Sequence, residues 1–323
     1  MIITIHINSH SLNKILLASF LAIPIILSSS PDAYAVVGSF FLTGHDPDFH
    51  ASLGANAVGA RNIITSAVAF TTDPAFNPFS NAGVDKFLFV ESKITAPGGH
   101  TNGVNGIVAS GFVLGTDFEH HDATTLNAEL DQLGTKYSAI VVASDFGGVL
   151  TSAELDILNA RSADIIDFLN SGGGLVAFAE SNSQAQLTSG SDLFGFLPFL
   201  VTSTQFNQAE VGITVTVFGA GLGLQNSDVN GNASHNIFVN DAGLEIVDTD
   251  SDNMILTIAG RGQIRDGEID PDPDDTIVGG ELIPIESTSL LLASAQSFSW
   301  MIPVILSGIG IGLFVVSRKP ENS

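Results

Sequence analysis

The sequence predicts an α/β fold: a mostly parallel sheet flanked by helices and followed by a β-rich C-terminal addition. Two apolar runs, AIVVASDF (139–146) and LVAFAES (175–181), enclose LTSAELDILNARSADIIDFLNSGGG (150–174), whose apolar residues recur at helical spacing. Short Val/Ile/Leu/Phe runs separated by one amphipathic segment read as a β-α-β unit with parallel strands. Further on the period changes. VGITVTVFGAG (211–221) alternates as a strand does, and LEIVDT and MILTIAG flank the polar turn DSDN as arms of a hairpin. No repeat of fixed period is visible, which argues against a solenoid or propeller. In open sheets of this kind ligands collect beyond the carboxyl ends of the strands. The candidate ligand site is therefore the loop Asp145, Phe146, Gly147 and Gly148 together with the turn from Glu180 to Asn182.

Elements before this unit follow from the same periodicities. Strands are expected at Ser39–Thr43 and Lys86–Glu91, with a short one near Phe118. Helices are expected at Ala55–Phe70, within the Gly-rich stretch Gly98–Ser110, and at Thr124–Leu133.

Composition narrows the function classes. The chain has no cysteine, which removes disulfides, thiolate metal sites and cysteine nucleophiles. Formal net charge is −24, with seven Lys or Arg between Val36 and Pro284. Such a chain is repelled by phosphates and shows no basic stripe, so nucleic-acid binding is excluded.

The termini carry targeting patterns. In residues 1–35, His10 and Lys14 precede the apolar stretch Ile15–Leu27, and DAYA ends at Ala35 in an A-x-A site, the layout of a secretory signal peptide. The extracellular domain is expected over 36–263. Residues 264–297 form an acidic Pro/Gly-rich tether that includes DPDPDD. Phe298–Val316 is long enough to span a bilayer, with Trp300 at an interfacial position. Arg318 and Lys319 then place the tail, 317–323, in the cytoplasm. This layout of a short Pro motif, an apolar span and a basic end resembles the C-terminal sorting signals of archaeal and bacterial surface proteins handled by exosortase- or archaeosortase-type transpeptidases. Here Ile283-Pro284-Ile285-Glu286 stands where those tails carry Pro-Glu-Pro. The resemblance implies membrane anchoring through the C-terminal helix, with the main domain at the cell surface.

Several polar clusters could carry chemistry. In Gly44–His50 (GHDPDFH), directly after the first strand, His45, Asp46 and His50 could supply nitrogen and oxygen ligands to zinc or another divalent ion; hydrogen-bonded loop residues are the alternative. Glu119-His120-His121-Asp122 is a similar cluster, its side chains alternating if it is a strand. Asp228-x-Asn230-x-Asn232 and Asp248-x-Asp250-x-Asp252 begin like calcium loops but lack the Gly and Glu that complete them, and Asp and Asn also favour turns. Asn232-Ala233-Ser234 is a glycosylation sequon immediately before His235; sugar there would put His235 near the surface.

Gly172-Gly173-Gly174 leading into LVAFAES, with Leu150-Thr151 and Glu154 opening the preceding helix, resembles the class I glutamine amidotransferase-like superfamily, within it the trehalose-utilisation (ThuA-like) branch. His235-Asn236-Ile237 followed by Gly243-Leu244 is similar to that branch's His-Pro-Ile and Gly-Leu segments. The resemblance covers roughly Ser39 to Gly262 and implies a flavodoxin-like sheet with an elbow after the Gly-bounded strand. Amidotransferases place a Cys on that elbow. This chain has Ala179, Glu180 and Ser181 there, so glutamine hydrolysis through a thioester is excluded. Ser181 is a nucleophile only if His235 reaches it, and Glu180 is either a general acid or base with a burial-raised pKa or a helix cap.

Two readings follow. The first is an exported, membrane-anchored surface protein whose domain is an atypical or non-catalytic superfamily member binding a small polar or carbohydrate ligand or a cell-surface partner. The second is an extracellular, metal-assisted hydrolase acting on glycans through Glu180, with His45, Asp46, His50 and His235 around an ion or a water. Convergence of His45, Glu180 and His235 at the sheet edge is the discriminator: their meeting favours the hydrolase, whereas His45 and His235 pointing to opposite sides argues against it.

Overall fold

The computed structural model describes residues 37–181, 194–197, 199, 201–206 and 211–271. The expected signal peptide, Asn182, most of the tether, the apolar span and the basic tail lie outside them. Among the described residues, no helix is long and apolar enough to cross a membrane.

The chain opens with β1 (Gly38–Thr43), α1 (Pro47–Leu53), α2 (Ala57–Thr71), α3 (Pro78–Asn81) and β2 (Phe87–Val90). Then come α4 (Val104–Ala109), β3 (Phe118–His121), α5 (Leu126–Glu129) running into a 3₁₀ turn, and β4 (Ala139–Val142). The expected long helix is two, α6 (Ser152–Ala160) and α7 (Ser162–Asn170), broken at Arg161, and β5 (Gly174–Ala177) follows. The C-terminal part adds β6 (Ser203–Gln205), β7 (Thr214–Val215), α8 (Val217–Gly221), α9 (Asn226–Val229), β8 (Asn236–Phe238), β9 (Glu245–Thr249), β10 (Ile255–Arg265) and β11 (Glu268–Pro271).

These strands form one mixed sheet in the order β3-β2-β4-β5-β1-β10-β8-β6, with β9 and β11 also paired to β10 and β7 to β9. The five strands from β3 to β1 are parallel; the pairs beyond β1 are antiparallel. The parallel part is thus the smaller share of the strands, and the β-rich addition extends the same sheet. Every residue of β1, β2, β4 and β5 is buried, which is why these strands read as unbroken apolar runs and not as alternating ones. Helix α2 packs on β1, β4 and β5, while α7 packs on β1 and β10.

The Gly-Gly-Gly run has a packing cause. Gly172 takes a left-handed φ of 93°, a Cβ on Gly173 would sit 2.3 Å from the Phe168 ring, and one on Gly174 would sit 2.4 Å from the Thr71 carbonyl oxygen. Helix and strand meet here at backbone distance, placing β5 between β4 and β1 in parallel register with both (Leu175 beside Ile140 and Phe40).

Three local readings change. GHDPDFH is not a loop: Pro47 occupies the first turn of α1, where its missing N–H costs nothing. The alternating VGITVTVFGAG forms only the two-residue β7, because Thr216 accepts from Gly219 N–H at 3.1 Å and starts α8. Strand structure also continues past residue 263, since β10 turns into β11 and the fold reaches Pro271.

The close approach at Gly174 predicts that Gly174→Ala destabilises the protein by about 1–3 kcal/mol through overpacking, readable as a lower denaturant midpoint at unchanged slope.

Candidate functional site

Because β4, β5 and β1 lie side by side, the loops following them emerge together at one edge of the sheet. Backbone bonds stitch them: Asp145 N–H donates to the Ala179 carbonyl at 3.1 Å and Ala179 N–H to the His45 carbonyl at 2.9 Å. The antiparallel extension delivers a fourth segment, since His235 N–H donates to the Gly44 carbonyl at 2.7 Å.

Asp46 stands at the N-cap of α1 yet makes no capping hydrogen bond. Its Oδ1 instead lies 3.1 Å from His50 Nε2, one helical turn on, and 3.3 Å from His235 Nε2. The three ligand atoms lie within 4.8 Å of one another, so these groups could hold a metal ion. Asp46 and His235 are buried, and neither Asp46 Oδ1 nor His235 Nε2 makes an aligned hydrogen bond. Burial pushes the Asp46 carboxyl up, but His235 and His50 outweigh it and hold the group below the usual carboxylate range. On one side of the cluster Phe146 stacks face to face on His235, ring centroids 3.6 Å apart. Gly147 presses on Asp46: a Cβ there would fall 2.2 Å from Asp46 Oδ2 and 2.4 Å from Phe49 Cβ, so only glycine fits.

Glu180 occupies the turn after β5 with φ 54°, a left-handed conformation that a non-glycine residue adopts at a cost of about 1–2 kcal/mol. Asn236 Oδ1 accepts from its N–H at 3.1 Å. The Glu180 carboxyl is pushed up to about 7, first by burial and then by the Asp46 charge, with a Gln205 hydrogen bond opposing.

The other sequence candidates are placed as follows. His45 is buried but turned elsewhere: Nε2 is 3.0 Å from Asp248 Oδ2 and Nδ1 is 3.3 Å from the Ala233 carbonyl, so it stands apart from the Asp46 cluster. Burial alone would lower its pKa, and the Asp248 carboxylate overrides that and raises it. Ser181 Oγ donates to the carbonyls of Phe178 and Ala143, and no hydrogen bond joins it to His235. Asp145 is buried at the edge beside Phe146. Gly148 passes close to Asp48, whose Oδ2 accepts from Ser144 N–H at 2.8 Å and whose carboxyl burial pushes up to about 6. Asn182 lies outside the described residues.

Both calcium-like stretches are engaged in structure. Asp228 accepts from Gln225 N–H and Asn62, and Asn232 is buried with its amide donating to the Asp228 carbonyl, which closes the glycosylation sequon in the folded state. Asp250 Oδ1 accepts from the N–H groups of Asp252 and Met254 inside the β9–β10 turn. The cluster Glu119, His121 and Glu129 also has metal-ligand spacing. There the Lys136 ammonium already sits 2.7 Å from Glu119 and 2.8 Å from Glu129, with Lys86 3.1 Å from Glu119. That site is a salt-bridge network.

Two groups carry no clear sequence signal. Asp248 reads as the start of a calcium-like stretch or as a turn residue, and Glu91 as the polar end of a strand; neither reading points to the partner it has. Glu91 is fully buried, accepting from the N–H groups of Gly103, of Val104 at 3.1 Å and of Val149 at 3.1 Å. It faces Asp48 and His120, the latter 3.6 Å away. Burial outweighs the amide donors and pushes its carboxyl up to about 8.

A carboxyl raised on folding makes the folded state bind more protons, so stability falls as pH climbs from the unfolded pKa near 4.5 to the folded value of about 8. The melting temperature is expected to drop across this window, and Glu91→Gln to flatten the drop. Comparison of the chain with protein-family models and with curated proteins finds no match in either.

Proposed function

We propose that this is an exported, membrane-anchored surface protein whose α/β domain, an atypical member of the amidotransferase-like superfamily, is a zinc-type, metal-assisted hydrolase acting on carbohydrate. The observation that carries the reading is the meeting of His50, His235 and Asp46 on one point. A tetrahedral zinc with bonds of about 2.1 Å separates its ligand atoms by about 3.4 Å, and the two imidazoles lie 3.1 and 3.3 Å from the Asp46 oxygen. Two nitrogens and one carboxylate suit zinc better than calcium, which takes six to eight oxygens. Three protein ligands leave a coordination position for water, and bound zinc would lower that water's pKa. Glu180, raised toward neutrality, is the residue able to take or return a proton. Carbohydrate as substrate class rests on the ThuA-like resemblance, and surface location on the signal-like and span-like segments.

The binding module, the first of the two readings from sequence, is here the alternative, favoured by burial: Glu180 is 2% and His235 4% exposed, and Phe146 covers one imidazole face.

Elemental analysis separates the readings. One zinc per chain is expected, lost in His50→Ala and His235→Ala and retained in Glu180→Gln. Hydrolysis of chromogenic glycosides or esters should fall at least about 100-fold in Glu180→Gln. Protein that takes up no stoichiometric metal after incubation with Zn²⁺ would overturn the hydrolase in favour of the binding module. Gly147→Ala, which must displace Asp46, is expected to lose the metal while remaining folded by circular dichroism.

A further inference from the structure

The Asp46 centre is nearly closed to solvent: side-chain exposure is 12% at His50, 4% at His235 and 2% at Asp46. A ligand can reach it only if a covering group moves. From Ala139 to Leu150 every residue is buried except Phe146, which is half-buried and lies with one face of its ring on the His235 imidazole.

The loop that carries this ring has no slack. Ser144 N–H donates to Asp48 Oδ2 at 2.8 Å, Asp145 N–H to the Ala179 carbonyl at 3.1 Å and Gly148 N–H to Ser144 Oγ at 2.8 Å. Gly147 is pressed against Asp46 and Phe49, and a Cβ on Gly148 would fall 2.7 Å from the Ser144 carbonyl oxygen. The backbone on both sides of Phe146 is therefore fixed, and the freedom that remains is rotation about its own side-chain bonds, which needs no loop motion. The stack covers His235 without locking: the planes are 24° apart, and centroids at 3.6 Å leave little offset, whereas aromatic pairs favour offset or edge-to-face arrangements.

We propose that the Phe146 side chain is the gate of the Asp46–His50–His235 centre, closed where it stacks on His235 and opened by rotating off it to admit the metal ion and the substrate, a role that rests on the metal-centre reading above. Burial of the centre is then compatible with traffic through it, because the cover over the imidazole is a side chain that can turn. A gate changes the rates of ligand entry and exit by the same factor and leaves affinity unchanged. A ring that only props His235 in place would change affinity instead.

The test uses the full-length protein in two states. In metal-free protein, imidazole modification by diethyl pyrocarbonate is followed residue by residue by mass spectrometry. His235 is expected to react about five- to tenfold faster in Phe146→Ala than in the unsubstituted chain, the bias that one aromatic contact supplies. His45, buried against Asp248, stays unreactive in both. In zinc-loaded protein, uptake of Zn²⁺ and its loss to excess EDTA should both accelerate by about the same factor, with the dissociation constant unchanged. Phe146→Trp, which restores a flat cover, should return both rates to those of the unsubstituted chain. Where Phe146→Ala does not fold, Phe146→Leu, which keeps apolar bulk without the flat face, should shift the rates in the same direction. Equal His235 modification with and without the ring, or zinc exchange at an unchanged rate, would overturn the gate and leave the metal centre, read by zinc stoichiometry, standing. A changed affinity with an unchanged uptake rate would make Phe146 a prop and overturn the gate as well. Faster His235 modification in a protein that takes up no zinc would support the gate and overturn the metal centre alone.

Discussion

Parallel pairing of β5 between β4 and β1 is the constraint on which the rest of this molecule depends. It requires strands apolar on both faces, which the Leu175, Val176, Ile140, Val141, Phe40 and Phe41 runs supply, and a helix end that reaches the sheet at backbone distance, which the three glycines permit. Once the three strands are in register their trailing loops share one edge, and the His45, Asp145 and Ala179 backbones close on one another. A slip of one residue would turn inward side chains outward and part these loops.

That edge is electrostatically costly. Asp46, Asp48, Asp145, Glu91 and Glu180 are all buried near strand ends of a chain poor in Lys and Arg, and burial drives three of them toward the protonated form. Asp46 is the exception, held anionic by His50 and His235. At the Glu119 cluster the same problem is solved with lysines, half-exposed and screened, where each ion pair adds little to stability. The Asp46 cluster has imidazoles instead, whose ring nitrogens can ligate a metal ion, whereas the ammonium groups of the other cluster are donors only.

The two ends of the sheet differ in chemistry. The carboxyl edge gathers acids and imidazoles from loops. The other edge, where α2 ends and α8 crosses β9, buries a cation between aromatic rings.

Some of this was legible in the residues themselves. Apolar runs marked β1, β2, β4 and β5, since buried parallel strands leave a periodicity that needs no partner to be read, and the loop and turn beyond them located the edge. Helix α1 could also have been read: an Asp before Pro, with His50 a turn later, is a helix start that sets Asp46 and His50 on one face. Which distant groups meet there was a tertiary decision. His45 and His235 look alike in sequence, and only the antiparallel attachment of β10 to β1, with β9 and β8 paired in turn to β10, turns the first toward Asp248 and brings the second to Asp46. Likewise nothing local distinguishes Arg261 from a surface arginine, because its burial is created by Phe70 and Phe76, nearly two hundred positions earlier in the chain. Local periodicity follows from backbone geometry shared by neighbouring residues, whereas a site is a coincidence of side chains that share no sequence neighbourhood.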